Sequence, residues 1–147
     1  MRLAIGSDHR GYELKKYLKV LLRREKHTVV DFGSNSSKSC DYPQIAFPLA
    51  LAVARGEFDR GILICATGIG MSIAANKAKG IRAALCFSPE GARLSREHNN
   101  ANVLILPGML IEKRLAARIC KIWLNSDFLN ERHSRRLKQI EEFETSA

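Results

Sequence analysis

The stretch Ile62-Leu63-Ile64-Cys65-Ala66-Thr67-Gly68-Ile69-Gly70-Met71-Ser72 gathers a thiol, a hydroxyl and a row of backbone N–H groups within a few residues. Its apolar run ends at Cys65, and two glycines turn it into the helix-like segment Ser72 to Lys77. A short apolar run bounded by glycines reads as a buried parallel strand. The loop then lies at the C-terminal edge of a sheet, where open α/β sheets bind ligands. A cysteine just before a helix N-terminus is placed to act as a thiolate. Thr67 and the N–H groups of Gly68 to Met71 can cradle a developing oxyanion. The plainer reading is an ordinary strand-to-helix turn. Nucleotide binding is poorly supported, because the loop lacks both the Lys-Ser/Thr pair of a Walker motif and a full GxGxxG.

Three other groups of residues can join this chemistry. Asp8 and His9 follow the first apolar strand, inside a loop closed by Gly6 and Gly11. His98-Asn99 precede another strand and add a second histidine, the side chain best suited to proton transfer at neutral pH. Arg132 and Arg136 stand four residues apart, so on a helix they point the same way and can clamp a phosphate. No HxH, HxxxH or carboxylate-histidine cluster suggests a metal site. The combination reads as metal-free acid–base chemistry, with no cofactor, on a small phosphorylated molecule.

The elements that must position these residues alternate between strand and helix. Strands are expected at Met1 to Gly6, Thr28 to Gly33, Arg60 to Cys65, Ile81 to Cys86 and Val103 to Leu106. Helices are expected from Tyr12 to about Lys26 and from Tyr42-Pro43 to about Arg55, the latter with Asp41 as a cap. Ser88 and Pro89 open another that ends near Asn100. Ile111 to Trp123 forms a helix with Ile111, Leu115, Ile119, Ile122 and Trp123 inward. A basic tail helix, about 130–143, has a narrow apolar stripe of Leu137, Ile140 and Phe143, which suits packing across a surface of the chain or onto a second subunit. The alternation gives a single three-layer, Rossmann-like α/β domain, with a five-stranded parallel sheet and an extra C-terminal helix.

Composition narrows the function classes. With 147 residues and 46% hydrophobic content the chain can bury one core without staples. No run approaches the roughly 20 apolar residues of a membrane span. The four cysteines, Cys40, Cys65, Cys86 and Cys120, have no CxxC spacing and are expected to be free thiols of a cytoplasmic protein. The net charge of +9 suits either nucleic acid or a small anion. Lys15, Lys16, Lys19, Arg23, Arg24 and Lys26 are expected on the solvated outer face of the first helix. Trp123 and most phenylalanines are expected to be buried, leaving no aromatic platform for nucleic acid. Neither a nucleic-acid partner nor a membrane is expected.

Together, five motifs resemble the type B ribose 5-phosphate isomerase family, which includes allose and galactose 6-phosphate isomerases. They are Gly6-Ser7-Asp8-His9 with Gly11, Asp41-Tyr42-Pro43, Cys65 through Lys77, Leu94 through Asn99, and Arg132-His133 through Arg136. The resemblance runs from Met1 to about Ile140. It implies interconversion of an aldose phosphate and a ketose phosphate through an enediolate. Cys65 would be the base, Thr67 and the Gly68 to Gly70 amides would hold the enediolate oxygen, and His98 would help to open the sugar ring. Asp8 and His9 would contact substrate and Arg132 and Arg136 the phosphate. Tyr42, Ala66, Ile69, Asn99 and Met109 fall among the family's substrate-contacting positions. Some members carry a glutamate base where this chain has Met71, so this chain looks like the cysteine-base kind.

Two positions depart from the family: Ala66 replaces a usual glycine, and Met109 replaces a usual phosphate-contacting arginine. The resemblance further implies a homodimer, or a tetramer, in which Cys65 of one chain meets His98 and Asn99 of another. An isomerase of six-carbon sugar phosphates, a non-catalytic sugar-phosphate binder and a nucleic-acid-binding module are the alternatives.

Overall fold

A computed structural model describes residues 1–147. Its strands are β1 (Arg2–Ser7), β2 (Thr28–Asp31), β3 (Arg60–Cys65), β4 (Ala83–Leu85) and β5 (Val103–Pro107). Its helices are α1 (Tyr12–Arg24), α2 (Pro43–Ala54), α3 (Ile69–Ala75), α4 (Pro89–Asn99), α5 (Lys113–Leu124) and α6 (Glu131–Ser146). All strand pairs are parallel, in the order β2-β1-β3-β5-β4. This is the expected three-layer fold.

The central strands are apolar on both faces because helices cover both. Leu3, Ile5, Ile62, Ile64, Leu104 and Leu106 face one core, built with α1, α4 and α5. Ala4, Leu63, Val103 and Ile105 face the other, built with α2 and α3. Each fully buried leucine or isoleucine contributes about 1.5–3 kcal/mol of hydrophobic stabilisation. The side of the sheet to which each helix crosses also locates the crevice. β1 feeds α1 on one face, while its neighbour β3 feeds α3 on the other, so the loops after β1 and β3 part at a topological switch point.

Several local expectations change. Helix α3 begins at Ile69 instead of Ser72, because Gly68 at φ +76° closes the turn at once. Asp41 makes no side-chain cap to α2; its carbonyl accepts from Gln44 N–H at 3.2 Å, and Tyr42 is the N-cap, with Pro43 in the first turn. Ser88 does cap α4, accepting from Gly91 N–H at 3.1 Å. β4 is shorter than expected because Ile81 N–H turns back to Ala78 O and Arg82 N–H is taken by the Asn102 side chain. Helix α5 begins at Lys113 instead of Ile111, which is half-buried in the turn before it; its buried residues are Ala116, Ile119, Cys120, Trp123 and Leu124, with Leu115 and Ile122 half-buried. The small residues Ala116 and Cys120 carry the i, i+3, i+4, i+7 contact that the larger ones suggested elsewhere.

The cations of α1 are not all on its outer face. Lys15 is 1% exposed, and its Nζ donates to Asp31 Oδ1 at 2.7 Å and to Ser34 O at 2.5 Å. Lys19 Nζ donates to the other oxygen of Asp31 at 2.5 Å. Burial holds the Lys15 ammonium below its ordinary value, with Asp31 opposing that shift. A buried lysine persists where its donors are spent on such partners, and here the arrangement ties α1 to the chain leaving β2. Of the phenylalanines only Phe58 is buried; Phe47, Phe87 and Phe143 are exposed. Helix α2 is apolar on its outer side too, which leaves Phe47 and Leu51 uncovered, and the end of α6 extends past the chain's own core. Phe47 lies on α2, Phe87 in the loop before α4 and Phe143 near the end of α6.

Candidate active site

Four loops leave the C-terminal edge of the sheet and are stitched together by backbone hydrogen bonds. Asp8 N–H donates to Ile64 O at 3.2 Å, and Ser7 N–H donates to Gly33 O at 2.6 Å. Gly108 and Met109 N–H donate to Cys65 O and Ala66 O at 2.8 and 3.0 Å. The loop holding Cys65 is therefore fixed from both sides. Asp8 is 7% exposed, and its Oδ1 accepts from Arg10 and Gly11 N–H at 2.9 and 3.1 Å, closing the turn into α1. His9 Nδ1 accepts from Cys40 N–H at 3.3 Å, which leaves Nε2 to carry the proton of the neutral ring.

Cys65 lies at the floor of this crevice, 5% exposed, with Gly68 N–H donating to its Sγ at 3.2 Å. That hydrogen bond fixes the sulfur at the mouth of the turn into α3. Ile69 N–H donates to Thr67 Oγ1 at 3.3 Å. Two of the expected cradle amides are thus spent on the thiol and the hydroxyl. The next two, on Gly70 and Met71, have no partner within the chain and are the ones free to meet an oxyanion. The Met71 side chain is fully buried in the core, away from the cradle. Both glycines are required by the space. A Cβ at Gly68 would lie 2.4 Å from Leu85 Cδ1, and one at Gly70 would lie 2.7 Å from Cζ of Tyr42, whose ring rests on this turn.

Gly68→Ala is expected to cost on the order of 1–3 kcal/mol, since it combines a positive φ with a clash. The displaced cradle should lower kcat as well. Thermal melts and steady-state kinetics on the same preparation check both effects.

The other cysteines differ from Cys65. Burial pushes the Cys86 thiol up to about 11 and the Cys120 thiol up to about 12, so both stay protonated and inert at neutral pH. Cys40 is half-buried in the loop after β2. All four are free thiols. No three His, Cys, Asp or Glu side chains converge closely enough to hold a metal ion.

The expected site residues fall into two groups. Asp8, His9, Tyr42, Cys65, Ala66, Thr67, Gly68, Ile69, Gly70 and Met109 lie on the joined loops at the C-terminal edge of the sheet. His98, Asn99, Arg132 and Arg136 do not. A helix that returns to a parallel strand ends at the sheet's opposite edge, and α4 ends just before β5. Asn102 O accepts from Gly61 N–H at 2.9 Å, and Gly61 is four residues, about 13 Å of extended strand, from Cys65. The approach of His98 to its strand is therefore at the wrong edge for Cys65 of the same chain.

Around His98 the second group is ordered. Its ring stacks on His133, with centroids 4.3 Å apart and planes at 14°, and Leu129 N–H donates to Glu97 O at 3.1 Å. The start of α6, with Arg132 and Arg136 exposed, is thereby fixed beside α4. His133, 5% exposed, was visible in the sequence only as part of the arginine motif.

Burial, then His98, Arg132 and Arg136, hold His133 below its ordinary value, with Glu131 opposing. The unfolded chain takes up this proton more readily than the folded one, so the contribution is complete above about pH 6.5 and is lost as pH falls from there through the lower folded-state value. His27 is lowered too, by burial and the N-terminal ammonium, and acts in the same sense. Stability in urea melts is expected to decline from pH 7 to pH 5, and His133→Gln should flatten that slope.

A doubly wound sheet with a thiol and open amides at its switch point defines an α/β enzyme site built for a small anionic substrate. The sequence pattern of the Ribose/Galactose Isomerase family matches residues 3–140. The chain is 45% identical over 139 residues to ribose-5-phosphate isomerase B of Escherichia coli, covering 95% of this chain and 93% of that protein. The structure of Clostridium thermocellum ribose-5-phosphate isomerase B superposes with a TM-score of 0.98 at 46% identity, covering 99% of each chain. That of Mycoplasma genitalium ribose-5-phosphate isomerase B with bound ribulose-5-phosphate superposes with a TM-score of 0.96 at 40% identity, covering 99% of this chain and 97% of that one. This chain belongs to the ribose/galactose isomerase family and is an aldose–ketose isomerase.

Proposed function

We propose that the protein interconverts ribose 5-phosphate and ribulose 5-phosphate without a metal, through an enediolate, with Cys65 as the base. The observation that carries this is the Cys65 thiol held on the Gly68 amide beside the unpartnered N–H groups of Gly70 and Met71. The Cys65 thiolate takes the proton from C2 of the open-chain aldose. The C2–H electrons form the C1–C2 double bond, and the carbonyl electrons move onto O1, which the free amides hold. A proton passes from the hydroxyl on O2 to O1, and the Cys65 thiol returns its proton to C1, giving the ketose. Thr67 borders the oxyanion, while Asp8, His9 and Tyr42 line the sugar's path.

The remaining residues come from a second copy. In a homodimer, or a tetramer of two such dimers, the partner subunit's His98 moves a proton from the anomeric hydroxyl to the ring oxygen, and the partner subunit's Asn99, Arg132 and Arg136 hold the sugar and its phosphate. Two observations favour this assembly. The second group is ordered at an edge remote from Cys65, and the rim of the crevice is apolar and uncovered, with Ile69 56%, Ile73 58% and Leu110 59% exposed. The whole chain, residues 1–147, then acts as one sugar-phosphate isomerase domain with α6 at the interface. No helix is long and apolar enough to cross a membrane, and four free thiols suit the cytoplasm as its place of work.

Purified protein incubated with ribose 5-phosphate should produce ribulose 5-phosphate at the same rate with and without a chelator. Allose and galactose 6-phosphates, assayed in parallel, test the six-carbon alternative. An absence of turnover with every aldose phosphate would refute the proposal.

A further inference from the structure

Arg10 occupies the lip of the crevice. Its backbone N–H is held by Asp8 Oδ1 at 2.9 Å, one residue from His9, so its Cα is fixed at the edge of the site. Its side chain is exposed, and no carboxylate lies within 4.0 Å of its guanidinium. Instead Nη1 rests on Met109 Sδ at 4.0 Å. A thioether is a weak acceptor and cannot neutralise a cation. Lys15 and Lys19 on the neighbouring helix are, by contrast, spent on Asp31.

The contact also places the charge beside Met109. Met109 N–H is clamped to Ala66 O at 3.0 Å, next to Cys65, so a guanidinium seated on the Met109 side chain stands over the loop that carries the base. Position 109 is where the chain lacks an expected cation, and Arg10 brings one to the same place from a different strand.

We propose that Arg10 is a phosphate-binding residue of this site, supplying from the β1 loop the cation that position 109 lacks. This rests on the sugar-phosphate reading above. The planar fork of arginine suits two phosphate oxygens, and the flexible thioether beneath it lets the fork swing onto the anion. Because the phosphate is remote from C1 and C2, the contact is equally strong in ground and transition states, so it should act on KM far more than on kcat.

Arg10→Ala is expected to raise KM for ribose 5-phosphate by about tenfold, as for loss of one charge-assisted hydrogen-bonding partner, with kcat changed less than about twofold. Affinity for inorganic phosphate, measured by calorimetric titration, should fall by a similar factor. Met109→Arg made in the Arg10→Ala background should recover most of that loss, and should lower KM several-fold more there than in the wild-type background, because the two positions serve one anion. An Arg10→Ala protein that melts as wild type yet keeps its KM and its phosphate affinity would overturn the inference while leaving the isomerase reading intact. If the wild type binds phosphate but turns over no aldose phosphate, the isomerase reading fails and the titration alone decides the role of Arg10. A wild type that turns over ribose 5-phosphate yet binds no phosphate overturns the role of Arg10 and leaves the isomerase reading intact.

Discussion

Cys65→Ala is expected to lower kcat by about 10²–10⁴-fold, the usual contribution of a positioned base, and to leave the fold in place. The residue is small, and removing one sulfur from a site that is 5% exposed costs on the order of 1 kcal/mol. Thermal melts distinguish a folded, inactive enzyme from a damaged one. Alkylation supplies the independent check. Cys86 and Cys120, buried and held as neutral thiols, should not react, so in a Cys40→Ser background one modified thiol should account for all the activity lost, and ribose 5-phosphate should protect it. An active Cys65→Ala enzyme would return the base assignment to another group.

The second large effect is complementation between two inactive chains. Cys65→Ala and His98→Ala proteins, each inactive alone, are unfolded together and refolded. Random pairing makes about half of the dimers mixed, and each mixed dimer keeps one intact site of two, so roughly a quarter of wild-type activity should return. The basis is the geometry of one chain. β3 delivers Cys65 to the C-terminal edge, whereas α4 returns His98 to the N-terminal edge, where it stacks on His133. A mixture verified to contain mixed dimers but without activity would show that the two residues do not share a site across the interface.

That separation was legible in the sequence, though only from topology. In a run of parallel strands every crossover helix ends at the N-terminal edge, so the alternation that defines the sheet already assigns His98 there. Proximity of His98 to a strand conceals this, because a strand has two ends. The sheet itself was plain because β1, β3 and β5 are buried on both faces and read as unbroken apolar runs. The cradle was legible in its residues but not in its hydrogen bonds. Which amides remain free depends on Gly68 adopting φ +76° and starting α3 three residues before the apparent helix. Lys15 looked like one more solvated cation, because periodicity on α1 cannot show that Asp31 stands behind it. Arg10 carries no signal in the sequence for a similar reason. Nothing in the spacing of positions 10 and 109 says that their side chains meet; that follows from β1 and β5 flanking β3 in the sheet.

The central claim is that Cys65 moves a proton between C2 and C1 through an enediolate, and the fate of the C2 hydrogen tests it most directly. Ribose 5-phosphate carrying deuterium at C2 is incubated with enzyme in ordinary water, and the label is followed by NMR through repeated interconversion. A thiol base that holds the hydrogen as a proton exchanges it with solvent, so deuterium should leave the sugar pool progressively, with protium appearing at C1 of ribulose 5-phosphate and at C2 of ribose 5-phosphate. Complete retention of the label, passed from C2 to C1 over many turnovers, would mean direct hydride transfer and would contradict the mechanism.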